Sequence, residues 1–308
     1  MEHSYLKQEK NRSGMGKNME QVNLKALAKI NIGLDVVRRR EDGYHEVRMI
    51  MQTVNIYDRI QLTMQKDQEI TVRTNLYYLP ANENNLVYKA AKLMQDEFQI
   101  PRGVHIELKK HIPVAAGMAG GSSDAAAVLH GLNRMFDLGL AKRELMKLGV
   151  RLGADVPYCL MRGTALSEGI GEILTPLSPM PKCTVLVAKP NISVSTKFVY
   201  EHLVLNEQTQ HPDIDRLVQD MQAGDIRSLA SHMGNVLETV TIPYYPVIQQ
   251  IKDCMIQNGA MNAMMSGSGP SVFGLFESKE QAQEIYDEIK RRGLAKQLFV
   301  TSIYNNRR

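Results

Sequence analysis

The chain has no tryptophan, only 6 phenylalanines and just 3 cysteines among 308 residues. Cys159, Cys183 and Cys254 lie far apart and an odd count leaves one unpaired, which excludes a disulfide framework and suggests a reducing, cytoplasmic setting. No apolar run reaches the ~20 residues that span a bilayer, so no membrane association is expected. Neither sign of charge dominates: 37 Lys and Arg stand against 33 Asp and Glu, a net +4. The densest basic run, Arg38-Arg39-Arg40, is offset by Glu41 and Asp42, a pattern of a solvated turn or local phosphate contacts rather than a nucleic-acid track. Residues 1–21 are polar and lack the apolar core of a secretion signal. With Met15 and Met19 as alternative starts, they read as a disordered or artefactual tail.

Several chemistries are missing too. No G-x-x-x-x-G-K-[ST] occurs, and Gly16-Lys17 lacks both the upstream glycine and the hydroxyl. His45-Glu46 has no second histidine at zincin spacing, and the 8 histidines and the cysteines do not cluster as metal ligands. No G-x-S-x-G elbow appears.

What is present is 44% hydrophobic and 23% charged, a globular composition with length for two domains. Strands and helices are mixed throughout, giving an α/β or α+β protein. Leu24 to Val36 alternate as a half-buried strand, with Lys29 and Asn31 on the face opposite Ala28, Ile30 and Ile32. Arg40–Gly43 supplies a turn, after which Tyr44–Met51 and Val54–Met64 read as two strands. Asn84 caps a helix running to Phe98, and a strand at Val104–Leu108 feeds the next segment. A helix over Ala141–Leu152 ends at Gly153, with Pro157 biasing Val156 toward extended backbone. Pro176, Pro179 and Pro181 mark a linker. Beyond it, a strand at Thr184–Ala188 precedes helices over Thr196–Leu203, Ile214–Gln222, Ile226–Val240 and Val247–Asn258. Two strands within Met261–Phe276, a helix over 279–291 and a strand at Leu298–Ile303 complete the pattern.

The most telling segment is Pro113-Val114-Ala115-Ala116-Gly117-Met118-Ala119-Gly120-Gly121-Ser122-Ser123-Asp124. Glycines let backbone N–H groups converge on an anion, and a helix follows with its unpaired amides and positive dipole end. Ala125, Val128, Leu129, Leu132, Met135 and Phe136 repeat at helical spacing, with Ser122 or Ser123 as N-cap. This is either a polyphosphate cradle or a flexible turn before an amphipathic helix. Lys29 and Asn31, about 6.5 Å apart on one strand face, suit phosphate neutralisation or an ordinary solvent face. Asp155, in Gly153-Ala-Asp-Val-Pro157, either caps a corner or takes the proton of a substrate hydroxyl. Ser266-Gly267-Ser268-Gly269-Pro270 is a second glycine loop, a hairpin turn or one half of a ligand clamp. Tyr44-His45 either opens a strand or reads a nucleobase edge.

Together these pieces resemble the GHMP kinases, whose phosphate loop has the pattern P-x-x-x-G-x-x-G-S-S. Pro113–Ser123 matches it with one extra glycine, and the likeness runs in motif order from Leu24 to Ile303. Ala28–Val36, Arg40–His45, Gly153–Pro157 and Met265–Pro270 narrow it to a branch whose acceptor is a cytidyl-diphosphate sugar alcohol. The resemblance implies a two-domain α+β fold. Residues 22–176 would form a nucleotide-binding β/α domain of ribosomal-protein type, and 177–308 a ferredoxin-like domain completing the substrate site. It implies ATP-dependent phosphorylation of the 2-hydroxyl of diphosphocytidyl-methylerythritol in the non-mevalonate isoprenoid pathway, with Mg2+ expected and a monomer or weak homodimer. By the same resemblance Asp155 is the base and Lys29 its partner. Pro113 to Ser123, Lys110 and Asn85 serve the nucleotide. Asn31, Tyr44, His45, Thr196, Tyr200, Asp124, Gly267 and Ser268 serve the acceptor. The metal ligands stay open. Rival readings are a kinase of the same family acting on homoserine or mevalonate, or a non-catalytic ligand- or RNA-binding protein on the same fold.

Overall fold

The structure is a computed structural model that describes residues 19–306. The tail expected over 1–21 therefore lies mostly outside the described residues, as do Met15 and Gly16-Lys17, while Gln21 already opens the first strand.

Two long strands, β1 (Gln21–Arg39) and β2 (His45–Met64), form an antiparallel hairpin. Its tip is the turn expected at Arg40–Gly43. Asp42 accepts from the Tyr44 amide at 3.1 Å and from the Arg40 guanidinium at 2.8 Å, and Gly43 takes φ +84. β2 is one strand rather than two. The polar pair Gln52-Thr53, which looks like a break, is satisfied by tertiary partners: Gln52 Nε2 donates to the Tyr304 carbonyl at 2.9 Å and Thr53 Oγ1 pairs with the Tyr158 hydroxyl at 2.9 Å.

β3 (Ile70–Thr74), α1 (Leu86–Glu97), β4 (Val104–Lys109), α2 (Gly120–Met135), α3 (Lys142–Val150), α4 (Val156–Met161), β5 (Thr164–Glu168) and β6 (Ile173–Pro176) follow. Then come β7 (Thr184–Lys189), α5 (Thr196–His202), α6 (Ile214–Ala223), α7 (Ile226–His232), β8 (Gly234–Asn235), α8 (Glu238–Tyr244) and α9 (Val247–Gln257). β9 (Asn262–Met265), β10 (Val272–Phe276), α10 (Lys279–Arg291) and β11 (Gln297–Ser302) close the order. A seven-stranded sheet runs β3-β4-β2-β1-β8, with β5 and β6 joined beside β2; the second sheet runs β11-β7-β10-β9, every neighbour antiparallel. In chain order that second sheet is 4-1-3-2, the split-βαβ arrangement expected of a ferredoxin-like domain.

Three differences from the sequence expectation matter for the site. First, β1 is not a strand with one apolar face. Register shifts between Leu27 and Lys29 and between Asn31 and Gly33 exchange its faces twice. Ala26, Leu34 and Val36 join the core beneath the helices, whereas Ala28, Ile30 and Ile32 join the core against the second sheet. The bulged middle thereby turns Lys29 and Asn31 toward the glycine loop. Second, Val156 starts α4 instead of extending, because a proline in the first helical turn has no amide that the helix would use. Third, the helix expected over Ile226–Val240 breaks at β8, which pairs in parallel with β1 through Gly33 and Leu34.

Candidate active site

The segment 113–119 is held in an unusual backbone state. Ala115, Gly117 and Ala119 have φ of 49, 72 and 54, so alternate residues are left-handed and the amides between them curl into a concave nest. For alanine this conformation costs energy that the surrounding packing must supply. α2 then begins at Gly120 with Ala119 at the N-cap position and no side-chain cap. Neither Ser122 nor Ser123 caps it, contrary to the sequence reading. Ser123 is buried and donates to the Leu27 carbonyl at 2.7 Å, and Ser122 faces the cleft. The first-turn amides of α2 are thus left open to a ligand.

A cleft of about 1070 Å³ opens in front of this loop. Pro113 to Gly117, Ala119 to Ser122, Asn85, Lys110 and Asp124 line one end; Asn31, Tyr44, His45, Thr196, Tyr200, Gly267 and Ser268 line the rest, with Lys29 and Asp155 among them. Of the expected site residues, two do not reach it. Met118 is buried and contributes its carbonyl to the Lys29 amide, and the Ser123 hydroxyl is turned into the sheet.

Lys29 is only 5% exposed, and its ammonium donates to Asn31 Oδ1 at 2.8 Å and to the Gly117 carbonyl at 3.0 Å. A buried ammonium with two neutral acceptors retains the capacity for an anion. Asp155 stands at the N-cap position of α4, yet its side chain makes no capping bond, so its carboxylate is not consumed there. Lys29 and Asp155 form no ion pair within 4.0 Å among the described residues, but both charges act on the Cys159 thiol, which burial pushes up.

The second glycine loop meets the first directly. Ser266 Oγ donates to the Gly117 carbonyl at 2.9 Å, and Asn235 on β8 donates to the carbonyls of Met265 and Gly267 at 2.9 and 2.8 Å. Thr196 and Ser268, both expected at the acceptor, pair through their hydroxyls at 2.8 Å.

At the far end, the His45 and Tyr200 rings lie 5.1 Å apart at 37°, while Tyr44 is 60% exposed at the rim. Burial, helped by Asp155, pushes the Tyr200 phenol up to about 12, and burial with the nearby Arg39 holds the His45 imidazole below 6.5. Both are neutral near pH 7, and each can donate one hydrogen bond and accept another. Arg39, from the basic run Arg38-Arg39-Arg40, also lines the cleft, as do Lys197 and Glu201, which no motif singled out.

The sequence reading named Lys110 and Asp124 but missed Asp58, which joins them in one buried cluster. Lys110 is clamped between Asp58 and Asp124, and Asp58 Oδ1 also accepts the amides of His111 and Ile112, at 2.5 and 2.8 Å, at the entry to the loop. Burial alone would lower the Lys110 ammonium, but the two carboxylates outweigh it and raise it. Burial drives the Asp124 carboxyl well above the usual range, and its Oδ1 has no hydrogen-bond partner. The signal was present in β2, where Asp58 interrupts the alternating apolar set Val54, Ile56, Ile60 and Leu62. Asn85, rather than Asn84, caps α1, accepting from the Val87 amide at 3.1 Å while lining the cleft.

The GHMP kinase N-terminal domain model matches residues 85–163, and the GHMP kinase C-terminal model matches 217–295. A 4-diphosphocytidyl-2-C-methyl-D-erythritol kinase of Lachnospira eligens is 57% identical over 93% of this chain and 99% of its own length. One of Lachnoclostridium phytofermentans is 55% identical over 94% and 99%. Among solved structures, a 4-(cytidine 5'-diphospho)-2C-methyl-D-erythritol kinase superposes with a TM-score of 0.80 at 29% identity, covering 92% of this chain and all of that one. A homoserine kinase from Cytophaga hutchinsonii, at TM-score 0.77 and 20% identity over 94% and 97%, shares the fold. The chain belongs to the GHMP kinase family, and within it to the group of the 4-diphosphocytidyl-2-C-methyl-D-erythritol kinases.

Proposed function

We propose that this chain transfers the γ-phosphoryl group of ATP to the 2-hydroxyl of 4-diphosphocytidyl-2-C-methyl-D-erythritol. The observation that carries the reading is that the glycine nest, the Lys29–Asn31 pair, the Asp155 carboxylate and the His45–Tyr200 rings all open onto one cleft. The names and high identity of the relatives support the acceptor.

In this reading the amides of 114–121 and the start of α2 hold the ATP phosphates, with Asn85 and Lys110 near the nucleotide. Tyr44, His45, Thr196 and Tyr200 hold the cytidine, and Asn31, Gly267 and Ser268 hold the acceptor's polar groups. Asp155 takes the proton as the acceptor oxygen bonds to the γ-phosphorus and the bond to the ADP oxygen breaks. Lys29 stabilises the developing charge. Such a transfer depends on positioning and charge neutralisation more than on covalent help. The donor set fits Mg2+, which keeps several waters and binds through one or two carboxylates plus phosphate oxygens. The unpartnered Asp124 Oδ1 and the cleft-facing Ser122 are the groups that would hold it, and bound there it would neutralise phosphate charge.

We further assign the domain boundary to the coil after Pro176, a cytoplasmic location, and a monomer or weak homodimer. The deciding experiment is an ATP-consumption assay with the cytidyl-diphosphate erythritol, homoserine and mevalonate as acceptors. Turnover with the first alone is expected; comparable turnover with either of the others would reject this acceptor.

A further inference from the structure

On the sheet surface away from the cleft, three cations stand in register. Lys25 on β1 lies opposite Arg59 on β2, and Arg59 lies opposite Lys109 on β4. Like charges directly opposite one another destabilise a sheet, so this row costs stability without an anion. The neighbouring row, Asn23, Gln61 and Glu107, brings a single carboxylate, and it reaches only Lys109, at 3.6 Å. Neither Lys25 nor Arg59 has a carboxylate within 4.0 Å among the described residues. Instead they flank the Tyr57 ring, Lys25 Nζ at 4.3 Å and Arg59 Cζ at 6.0 Å from its centre.

Arg59 and Lys109 line a recess of about 430 Å³ between this sheet and β11, the outer strand of the second sheet. Its remaining walls include Tyr57, His111 and Phe299, the last two meeting edge-on at 5.0 Å. Lys110 also borders it, but its ammonium is engaged by Asp58 and Asp124.

We infer that this recess, together with the cation row that runs out of it past Tyr57, binds a small diphosphate-bearing molecule, its charged end on Arg59 and Lys109 in the recess and Lys25 beside it, and its organic end against Tyr57 and Phe299. The row spans two strand spacings, about 9.6 Å, too wide for a single phosphate to engage throughout but suited to a diphosphate. Arg59 offers a planar fork to one phosphoryl group and the lysines act as point charges on either side. The volume is within the range of small-molecule sites.

The test is calorimetric titration of the full chain with inorganic pyrophosphate and, separately, inorganic phosphate, the nucleotide end of the cleft being filled with a non-hydrolysable ATP analogue. Pyrophosphate should bind saturably and about tenfold more tightly than phosphate. Arg59→Gln and Lys109→Gln should each weaken it about tenfold, the usual effect of losing one charge-assisted contact, while leaving the KM values for both substrates within about twofold. Absence of saturable binding, or pyrophosphate affinity unchanged in both variants, would overturn the assignment.

Discussion

The Ser266 hydroxyl and the Gly117 carbonyl, 149 positions apart in sequence, are joined by a 2.9 Å hydrogen bond that fastens one glycine loop to the other. The contact is close enough that a Cβ on Gly117 would sit 2.0 Å from the Ser266 carbonyl oxygen, and Gly117 is left-handed at φ +72. Gly117→Ala should therefore part the loops. Misplacement of this size commonly costs ~100-fold in rate, so kcat/KM for ATP should fall by about that factor in steady-state assays. Kinetics equal to the native chain would separate loop packing from catalysis.

Asp155→Asn keeps the size of the side chain and removes the base. A positioned general base contributes ~10²–10⁴-fold, so kcat should drop within that range while ATP affinity, measured by direct titration, stays within about twofold. Native-like turnover would remove Asp155 from the proton path.

Tyr200 and Tyr44 line the cleft in different states, one packed on His45 and one at the rim. Alanine at either position should raise the acceptor KM with little change in KM for ATP, since base stacking is worth ~1–3 kcal/mol. Tyr200→Phe should retain most of the affinity that Tyr200→Ala loses. Acceptor KM values that do not move in either alanine variant would place the cytosine elsewhere.

Burial and Arg39 depress the His45 pKa below 6.5, so the folded state favours the neutral ring. The unfolded chain binds that proton more readily, and the associated stability is present above pH 6.5 and is lost as pH falls through the depressed value. Acceptor KM should accordingly stay flat from mildly alkaline pH to below 6.5 and rise only at more acid pH. His45→Gln should abolish that acid limb. A limb that persists in the variant would trace to another group.

Asp58→Ala leaves Lys110 facing Asp124 alone and strips an acceptor from two amides. Breaking a buried pair costs ~3–5 kcal/mol, visible as a lower denaturant midpoint. A midpoint within experimental error of the native one would show that Asp124 suffices.

The glycine loop and the helix after it were legible in sequence because glycine spacing and an apolar stripe are local signals. So were Asp155 and Lys29 as candidates, and the presence of strands at both ends of the first hairpin, though not the single apolar face read into Leu24–Val36. What was hidden depends on partners distant in the chain. The register shifts that flank Lys29 and Asn31 follow from pairing with β2, and nothing in Leu24–Val36 announces them. Gln52-Thr53 looks like a break until Tyr158 and Tyr304 arrive to satisfy it. Asn235 sits in what reads as helix, and only the docking of β8 on β1 reveals its role at the second glycine loop.

The short β8 pairing carries a consequence for dissection of the molecule. Gly234 and Asn235 belong to the C-terminal half, yet they complete an edge of the N-terminal sheet, and the Val236 amide bonds the Leu34 carbonyl at 3.0 Å. A fragment ending at Pro176 would expose that border of β1 beside Lys29 and Asn31, leaving it sticky and its reactive groups unbraced. Mixing the two separately expressed fragments should restore turnover only to the extent that they re-zip along this seam.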